Sequence, residues 1–375
     1  MRDQGGRGFE ANHNEIYELN CESTRPSRKS CSVGGQMCAQ VWGDPHVVTF
    51  DKLKYDCQGR GEFVLLKSTH PNDPLAIHGV FKDTGGFAKN PSVTRSVAIQ
   101  VVPGVPVLHV SIPDMPVNGQ CGFSYSVTSS MNPINDIVSY FAVNYPGQVD
   151  VLSSNTAVII NYPGVGARVE ITVHSGRFSS FGCRMRAKAC ISPAAHGGAN
   201  AIVGLMGNPT GQTNDDWMQN PDKYTPIPLP NGNPRKAGTD YCIDQWCVPK
   251  NQTLYDHNTY DNHNQCCDGS FTPFDQQAYD DIFNNVPQAV KDSCNQKSEN
   301  PDECINDVGV AVDQDPSLNF PDLVDEIAGE EQVADEVSDT KESDLDSNPN
   351  WNTPKKISGS SRGDPHCEYS CIFLL

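Results

Sequence analysis

The sequence predicts a mainly β protein built around an antiparallel β-sandwich. Apolar and polar residues alternate with period two, as in strands with one buried and one solvated face, along runs at 108–112, 123–128 and 168–173. Further apolar runs at 62–67, 97–102, 137–143 and 156–162 are predicted to complete a set of short strands. Pro-Gly pairs separate several of these runs. Many short strands punctuated by turn residues indicate a sandwich or a barrel.

Composition points to an oxidising compartment. The chain has 375 residues, 15 cysteines and a net charge of -19. Most cysteines fall outside metal-binding spacings, which favours disulfides, and the odd count leaves one thiol over or means that the chain is incomplete. The acidic balance argues against nucleic acid and anionic membranes as partners. No apolar run approaches the ~20 residues that a membrane span needs.

The amino terminus conflicts with secretion. Residues 1–10 are polar and contain no apolar segment, so they are not a signal peptide. We give the cysteine content more weight and expect a secreted, extracellular protein whose amino terminus is incomplete. The alternative is an intracellular protein with reduced thiols.

Two segments carry the most specific information. A turn sequence, Gly43-Asp44-Pro45-His46, precedes a short β-patterned run that ends at Asp51. Far downstream, oxygen-bearing side chains crowd into nine residues, namely Asn208, Thr210, Asn214, Asp215 and Asp216. Calcium prefers about six to eight such oxygen ligands, and the absence of His and Cys from the cluster disfavours zinc or copper. A solvated acidic turn explains the cluster equally well, because these are also ordinary turn residues.

The two segments resemble the opening and closing signatures of the von Willebrand factor type D domain, over residues 38 to about 220. The resemblance implies a β-sandwich with bound calcium. It assigns the ion to Asp51, Asn208, Asp215 and Asp216, with a backbone carbonyl near Thr213. Thr210 stands where the family usually has Asp or Asn, so we expect a weaker affinity.

The sequence departs from the family pattern at several positions. Lys52 replaces the glycine that usually follows the first aspartate, and Gly61 and Met206 stand where the family usually has cysteines. The disulfide set is therefore not inherited whole, and the partner of Cys38 stays open.

The opening turn has a second interpretation. Some type D domains cleave themselves between Asp and Pro, so Asp44, Pro45 and His46 are candidates for self-cleavage. His46 could assist proton transfer near its ordinary pKa of ~6.5. We favour a rigid turn, because cleavage needs backbone strain, and we predict no other catalytic residues.

We divide the chain into five parts. They are a cysteine-containing amino-terminal segment (1–37), the type D domain (38–235), a small, disulfide-stapled and partly helical cysteine-rich module (236–320) with helical spacing around 279–290, an acidic disordered linker (321–361) and the stub of a second type D domain (362–375). The stub is inferred because Gly363–His366 repeats the opening turn. Asn251 in the cysteine-rich module is an N-glycosylation acceptor.

The predicted function is that of an extracellular, calcium-binding structural or adhesive module of a mosaic matrix or mucus-like protein. Its expected partners are extracellular proteins or matrix glycans, with self-assembly as a further option. Two alternatives remain. One is a secreted enzyme scaffold, such as a luciferase-like oxygenase, because a luciferase family carries type D domains. The other is an extracellular inhibitor or ligand carrier.

Overall fold

The computed structural model describes residues 36–43, 45–83, 92–118, 120–128, 130–175, 182–217, 220–221, 234–256, 276–298, 301–314 and 318–325. The described strands form two seven-stranded antiparallel sheets, which confirms the predicted mainly β fold. The strands are β1 (Met37–Trp42), β2 (His46–Val48), β3 (Lys54–Asp56), β4 (Gly61–Ser68), β5 (Ala76–Asp83), β6 (Ser92–Gln100), β7 (Leu108–Ser111), β8 (Ser124–Val127), β9 (Ser130–Ile134), β10 (Asp150–Ser153), β11 (Ala157–Tyr162), β12 (Ala167–Ser175), β13 (Cys183–Ile191) and β14 (Ile202–Val203). The helices are α1 (Ile137–Asn144), α2 (Pro234–Tyr241), α3 (Gln276–Asn285), α4 (Gln288–Lys297) and α5 (Pro301–Gln314).

The order of strands brings distant parts of the chain together. The first sheet runs β10-β11-β12-β13-β1-β2-β3 and the second runs β14-β4-β5-β6-β7-β8-β9. Apolar side chains from both sheets share one hydrophobic core. The opening strands β1 to β3 and the late strand β14 therefore belong to opposite sheets of one packing unit.

One apolar run was assigned to the wrong element. Residues 137–143, which we predicted as a strand, form α1. The Asp136 carboxylate accepts hydrogen bonds from the Ser139 amide at 3.0 Å and the Ser139 hydroxyl at 2.6 Å. This side-chain cap satisfies a free amide of the first turn and starts a helix. Ile137, Val138 and Phe141 then fall on one buried face.

The interior strand β12 is buried on both faces rather than on one. Val169 and Ile171 point into the core as predicted, but Glu170 is also buried. The Glu170 carboxylate lies 2.6 Å from Arg168 and 3.8 Å from Lys188. These basic side chains neutralise and cover the carboxylate, so the polar face of the strand is not simply solvated.

The segment after the sandwich packs against it. Residues 241–248 contribute Tyr241, Trp246 and Val248 to the main core. The Cys57–Cys242 disulfide ties this segment to the end of β3. Residues 241–248 therefore pack with the sandwich, while the domain boundary at residue 235 remains a prediction.

A buried carboxylate holds the next few residues. Glu62 on β4 is 1% exposed and lies 2.7 Å from the His78 ring nitrogen Nδ1. The Thr253 hydroxyl donates to Glu62 at 2.5 Å and the Leu254 amide donates to it at 3.1 Å. The Tyr255 hydroxyl lies 2.8 Å from the Ser96 hydroxyl, and its ring stacks on His109. A polar network, as well as apolar contact, thus fastens residues 253–255 to the second sheet.

Helices α3, α4 and α5 form a separate hydrophobic core. Ile282, Val290 and Val308 are buried in it, and the Cys294–Cys304 disulfide joins α4 to α5. The helical spacing predicted around 279–290 is present, divided between two helices. Within the part of the chain that the structure describes, no helix has the length and apolar character that a bilayer span requires.

The disulfides answer the question left open by the sequence. Cys38 pairs with Cys190, its direct neighbour across strands β1 and β13. Cys121 pairs with Cys183, and Cys247 is also disulfide-bonded. The domain boundaries remain predictions. Residues 1–35, most of the acidic linker and residues 362–375 lie outside the described residues.

Replacing Thr253 with Ala tests the polar network around Glu62. We expect Thr253→Ala to lower the free energy of unfolding by about 1–3 kcal/mol, because a buried carboxylate loses a donor. Thr253→Ser keeps the hydroxyl and should stay close to the wild type. Urea denaturation at pH 7 measures both variants. Both are made in an Asn251→Gln background, so that glycosylation does not differ. Equal loss in the Ser and Ala variants would show that the hydroxyl contributes nothing.

Candidate metal centre

The opening segment ends in a tight turn that presents Asp51. The Lys52 amide donates to the Thr49 carbonyl at 3.1 Å, and the Thr49 amide donates to the Leu53 carbonyl at 3.0 Å. Lys52 adopts a φ of 74°, in the left-handed region that favours glycine. This explains physically why a glycine after the aspartate suits this turn, and why Lys52 is a departure with a cost.

The closing loop is tied to this turn through the backbone. The Phe50 amide donates to the Met206 carbonyl at 3.0 Å, and the Met206 amide donates to the Leu65 carbonyl at 2.9 Å. The loop is therefore pinned to β4 on one side and to the opening turn on the other.

Asp51 organises the closing loop with one of its two carboxylate oxygens. Asp51 Oδ2 accepts hydrogen bonds from the backbone amides of residues 210, 211 and 212 at 3.1, 2.8 and 2.8 Å. The Thr210 hydroxyl lies 3.1 Å from the same oxygen. The sequence suggested Asp51 as a ligand, but its structural role in shaping residues 210–212 was not expected.

The structure brings three predicted carboxylates together. Single carboxylate oxygens of Asp51, Asp215 and Asp216 all lie within 4.8 Å of one another. The Thr210 hydroxyl also reaches Asp215 at 2.9 Å. Asp216 accepts hydrogen bonds from the Thr49 hydroxyl at 2.6 Å and from the backbone amide of Asn208 at 3.2 Å. Thr49 lies inside the opening motif, but nothing in the sequence pattern predicts that its hydroxyl donates to Asp216.

The environment of Asp216 disfavours its ionised form. Burial raises the pKa of Asp216 to about 7, and the nearby charges of Asp51 and Asp215 push it in the same direction. The hydrogen bonds from Thr49 and Asn208 act in the opposite direction. A carboxylate that is both buried and close to like charges gains the most from a bound cation.

Two buried oxygens lack partners within the cluster. Asp51 Oδ1 and Asn208 Oδ1 have almost no solvent exposure and no hydrogen-bond partner among the residues that the structure describes. A buried acceptor without a donor is costly, and a hard cation is one way to satisfy it. The residue types and this unsatisfied geometry therefore fit calcium. Thr213 is exposed in the short 3₁₀ turn Thr213–Asp215, and its carbonyl remains a predicted ligand.

Two neighbours of the cluster could not be identified from the motif alone. Gly207 has a φ of 71°, and a Cβ there would lie 2.1 Å from Asp216 Oδ1, so only glycine fits. Behind the loop, Trp217 stacks on Tyr241 with ring centroids 4.6 Å apart, and Tyr55 lies 5.4 Å from Trp217. The Tyr241 hydroxyl donates to the Asp216 carbonyl at 3.3 Å, so these rings pack against the buried Asp216.

Two of the candidate self-cleavage residues, Pro45 and His46, are not part of this cluster. The Pro45 carbonyl accepts a hydrogen bond from the Cys57 amide at 2.9 Å. His46 is 1% exposed, with its Nδ1 atom 2.7 Å from Asp56 Oδ1. Asp44 lies outside the described residues. The geometry of Pro45 and His46 suits the rigid turn that we favour.

The predicted glycosylation site is accessible. Asn251 is exposed in the 3₁₀ turn Lys250–Gln252, and its modification remains a prediction.

Substituting Lys52 tests the strain in the opening turn. We expect Lys52→Gly to raise the free energy of unfolding by up to about 1 kcal/mol, because relief of the left-handed conformation exceeds the entropy that glycine adds to the unfolded chain. Lys54→Gly, in the adjacent extended strand, should instead destabilise by about 0.5–1 kcal/mol. Chemical denaturation compares the two. A loss of stability in both variants would contradict the argument from φ.

The pKa of Asp216 predicts how the calcium-free protein responds to pH. A folded-state pKa of about 7, against an ordinary 3.8, means that the folded state binds the proton more tightly than the unfolded state. Stability should therefore fall as pH rises from about 4 to about 7, by at most about 1.4 kcal/mol per pH unit from this group, and then level off. Melting curves in chelator should show a steeper slope for the wild type than for Asp216→Asn. Parallel slopes would rule out this titration.

Comparison with known proteins agrees with this geometry. The family model of the von Willebrand factor type D domain matches residues 39–223. The silkworm (Bombyx mori) protein named "Protein mesh" is 40% identical over 72 residues, which cover 18% of this chain and 4% of that protein. The match thus spans only a small part of the relative. Together with the two antiparallel sheets, the family match shows that residues 39–223 of this chain belong to the von Willebrand factor type D domain family.

Proposed function

We propose that this chain is a calcium-binding structural or adhesive module of an extracellular protein. The observation that carries the calcium proposal is the convergence of Asp51, Asp215 and Asp216 within 4.8 Å. Three carboxylates held this close repel one another unless they are protonated or neutralised by a cation.

The unsatisfied oxygens support a hard divalent ion rather than protonation alone. Asp51 Oδ1 and Asn208 Oδ1 are buried acceptors without donors. Protonating Asp216 would relieve the charge but would leave these two atoms unsatisfied. We propose that Asp51, Asn208, Asp215 and Asp216 hold the ion, with a backbone carbonyl near Thr213 as a further ligand. When bound, calcium would supply charge neutralisation between the opening turn and the closing loop.

Thr210 has a different role from the acidic residue that its position suggests. Its hydroxyl contacts both Asp51 and Asp215, at 3.1 and 2.9 Å. A neutral hydroxyl leaves the site with less negative charge than a carboxylate would, which supports a weaker affinity. Because the ligands sit partly on an exposed loop, we propose a preference for calcium, which tolerates irregular coordination, over magnesium, which demands near-octahedral geometry.

The extracellular, non-catalytic part of the proposal rests on other observations. Disulfides join β1 to β13 and the sandwich to the segment after it, and such bonds persist in oxidising surroundings. The type D match and the similarity to a part of "Protein mesh" support a structural module. We propose extracellular proteins or matrix glycans as partners, with self-assembly as a further option, and we propose no enzymatic role beyond the untested Asp44–Pro45 cleavage.

Calorimetry of the full chain tests the calcium proposal. Saturating calcium should raise the melting temperature, equivalent to about 2.7 kcal/mol at a concentration of 100 times Kd. The double variant Asp215→Asn with Asp216→Asn should lose this shift. In chelator the double variant should be at least as stable as the wild type, because like-charge repulsion is removed.

A matched control removes the same charge elsewhere. Asp281→Asn with Asp292→Asn changes two exposed aspartates of α3 and α4 and should keep the full calcium shift. Magnesium at equal concentration should give a smaller shift. The calcium proposal fails if the wild type shows no shift, or if the cluster variant keeps the shift that the control shows.

A further inference from the structure

His46 lies between two carboxylates that come from distant parts of the chain. Its Nδ1 atom is 2.7 Å from Asp56 Oδ1 on β3, and its Nε2 atom is 3.4 Å from Asp307 Oδ1 on α5. The His46 side chain is 1% exposed, and the Asp56 and Asp307 side chains are 7% and 9% exposed. The three groups therefore interact where water screens them little.

The protonation of the ring decides whether both contacts are favourable. A neutral imidazole has one N–H donor and one lone pair, whereas the imidazolium has two donors. If Nδ1 donates to Asp56, the Nε2 lone pair of a neutral ring faces the Asp307 carboxylate. Only the imidazolium donates to Asp56 and Asp307 at the same time.

This contact joins two separately packed units. The sandwich and helices α3–α5 have distinct hydrophobic cores. The opening turn lies beside both groups, because a Cβ at Gly43 would lie 3.2 Å from the His46 ring and 3.7 Å from Asp307 Oδ2. A polar contact between two separate cores can open without unfolding either core.

We propose that His46 and Asp307 form a pH-dependent latch between the type D sandwich and the helical unit α3–α5. Among the described residues, the groups facing the ring include Asp56 from β3, Asp307 from α5 and the Trp42 ring from β1, whose centroid is 5.6 Å away. Asp56 keeps the ring oriented in both states. The latch does not depend on the calcium proposal. Its hydrogen bonds join His46 to Asp56 and Asp307, and neither aspartate is a proposed calcium ligand.

The direction of the pH effect follows from linkage. Docking of α5 places a second carboxylate beside the ring and favours the imidazolium, so protonation must favour docking by the same factor. The latch is closed when the His46 ring is protonated. At higher pH the Nε2 atom loses its proton and its lone pair repels Asp307, so the helical unit opens more often.

Hydrogen exchange of the full chain, followed by mass spectrometry, tests the latch. Measurements at pH 5.5 and 7.5 are corrected for intrinsic exchange and made in saturating calcium, and again in chelator. In saturating calcium, we expect protection of the α5 amides to fall at least about tenfold at the higher pH, while β12 and β13 keep theirs. Asp307→Asn should remove the pH dependence, since an amide can accept from the imidazolium or donate to the neutral ring.

Controls separate the latch from general destabilisation. Asp292→Asn removes an exposed charge from α4 of the same unit and should keep the full pH dependence. His46→Gln, which cannot titrate, should lose it, and far-UV circular dichroism checks that each variant is folded. Equal protection of α5 at both pH values in the wild type, or an unchanged pH dependence in folded Asp307→Asn and His46→Gln, overturns the proposal.

Discussion

The candidate site depends on the backbone junction between the opening turn and the closing loop. The Phe50 amide bonds to the Met206 carbonyl, and Asp51 Oδ2 collects the amides of residues 210–212. Closing a chain segment of this length is entropically unfavourable, so the junction cannot persist by itself. The shared core of the two sheets holds β2 and β14 in place, and the junction then sets the positions of the acidic side chains.

This junction brings three carboxylates together beside a buried position, where their negative charge has a high energetic cost. Asp216 is 1% exposed and faces two further carboxylates. Hydrogen bonds from Thr49 and Asn208 offset part of that cost, and Gly207 leaves the room that Asp216 needs. Several backbone hydrogen bonds fix the conformation of this loop, while two buried oxygens of the cluster have no donor among the described residues. Such an arrangement is more typical of a binding site than of a stabilising element.

The rest of the chain is attached to the sandwich by different means. Residues 241–248 merge with the main core and are fixed by the Cys57–Cys242 disulfide, whereas residues 253–255 are held by the buried carboxylate of Glu62. Helices α3–α5 keep a core of their own and meet the opening turn through Asp307. A contact that buries apolar surface depends little on pH, whereas a contact with a titratable group can respond to solution conditions.

Local sequence patterns predicted the fold class. Strand periodicity is a local property, so β7, β8 and β12 were visible before folding. The proposal that Asp51 and residues 208–216 act together as metal ligands came from the resemblance to the type D family. The apolar run at 137–143 fits a strand or a helix equally, and the Asp136 cap decides between them only when the run meets the core.

The long-range contact partners of individual residues are defined only in the folded structure. The Cys38–Cys190 bond, the double burial of β12 and the placement of His46 between Asp56 and Asp307 join residues far apart in the chain. The raised pKa of Asp216 likewise arises from burial and from charges that approach it through folding. Local patterns record what each segment can form, but long-range contacts, dielectric environment and charge proximity exist only once the sheets have packed.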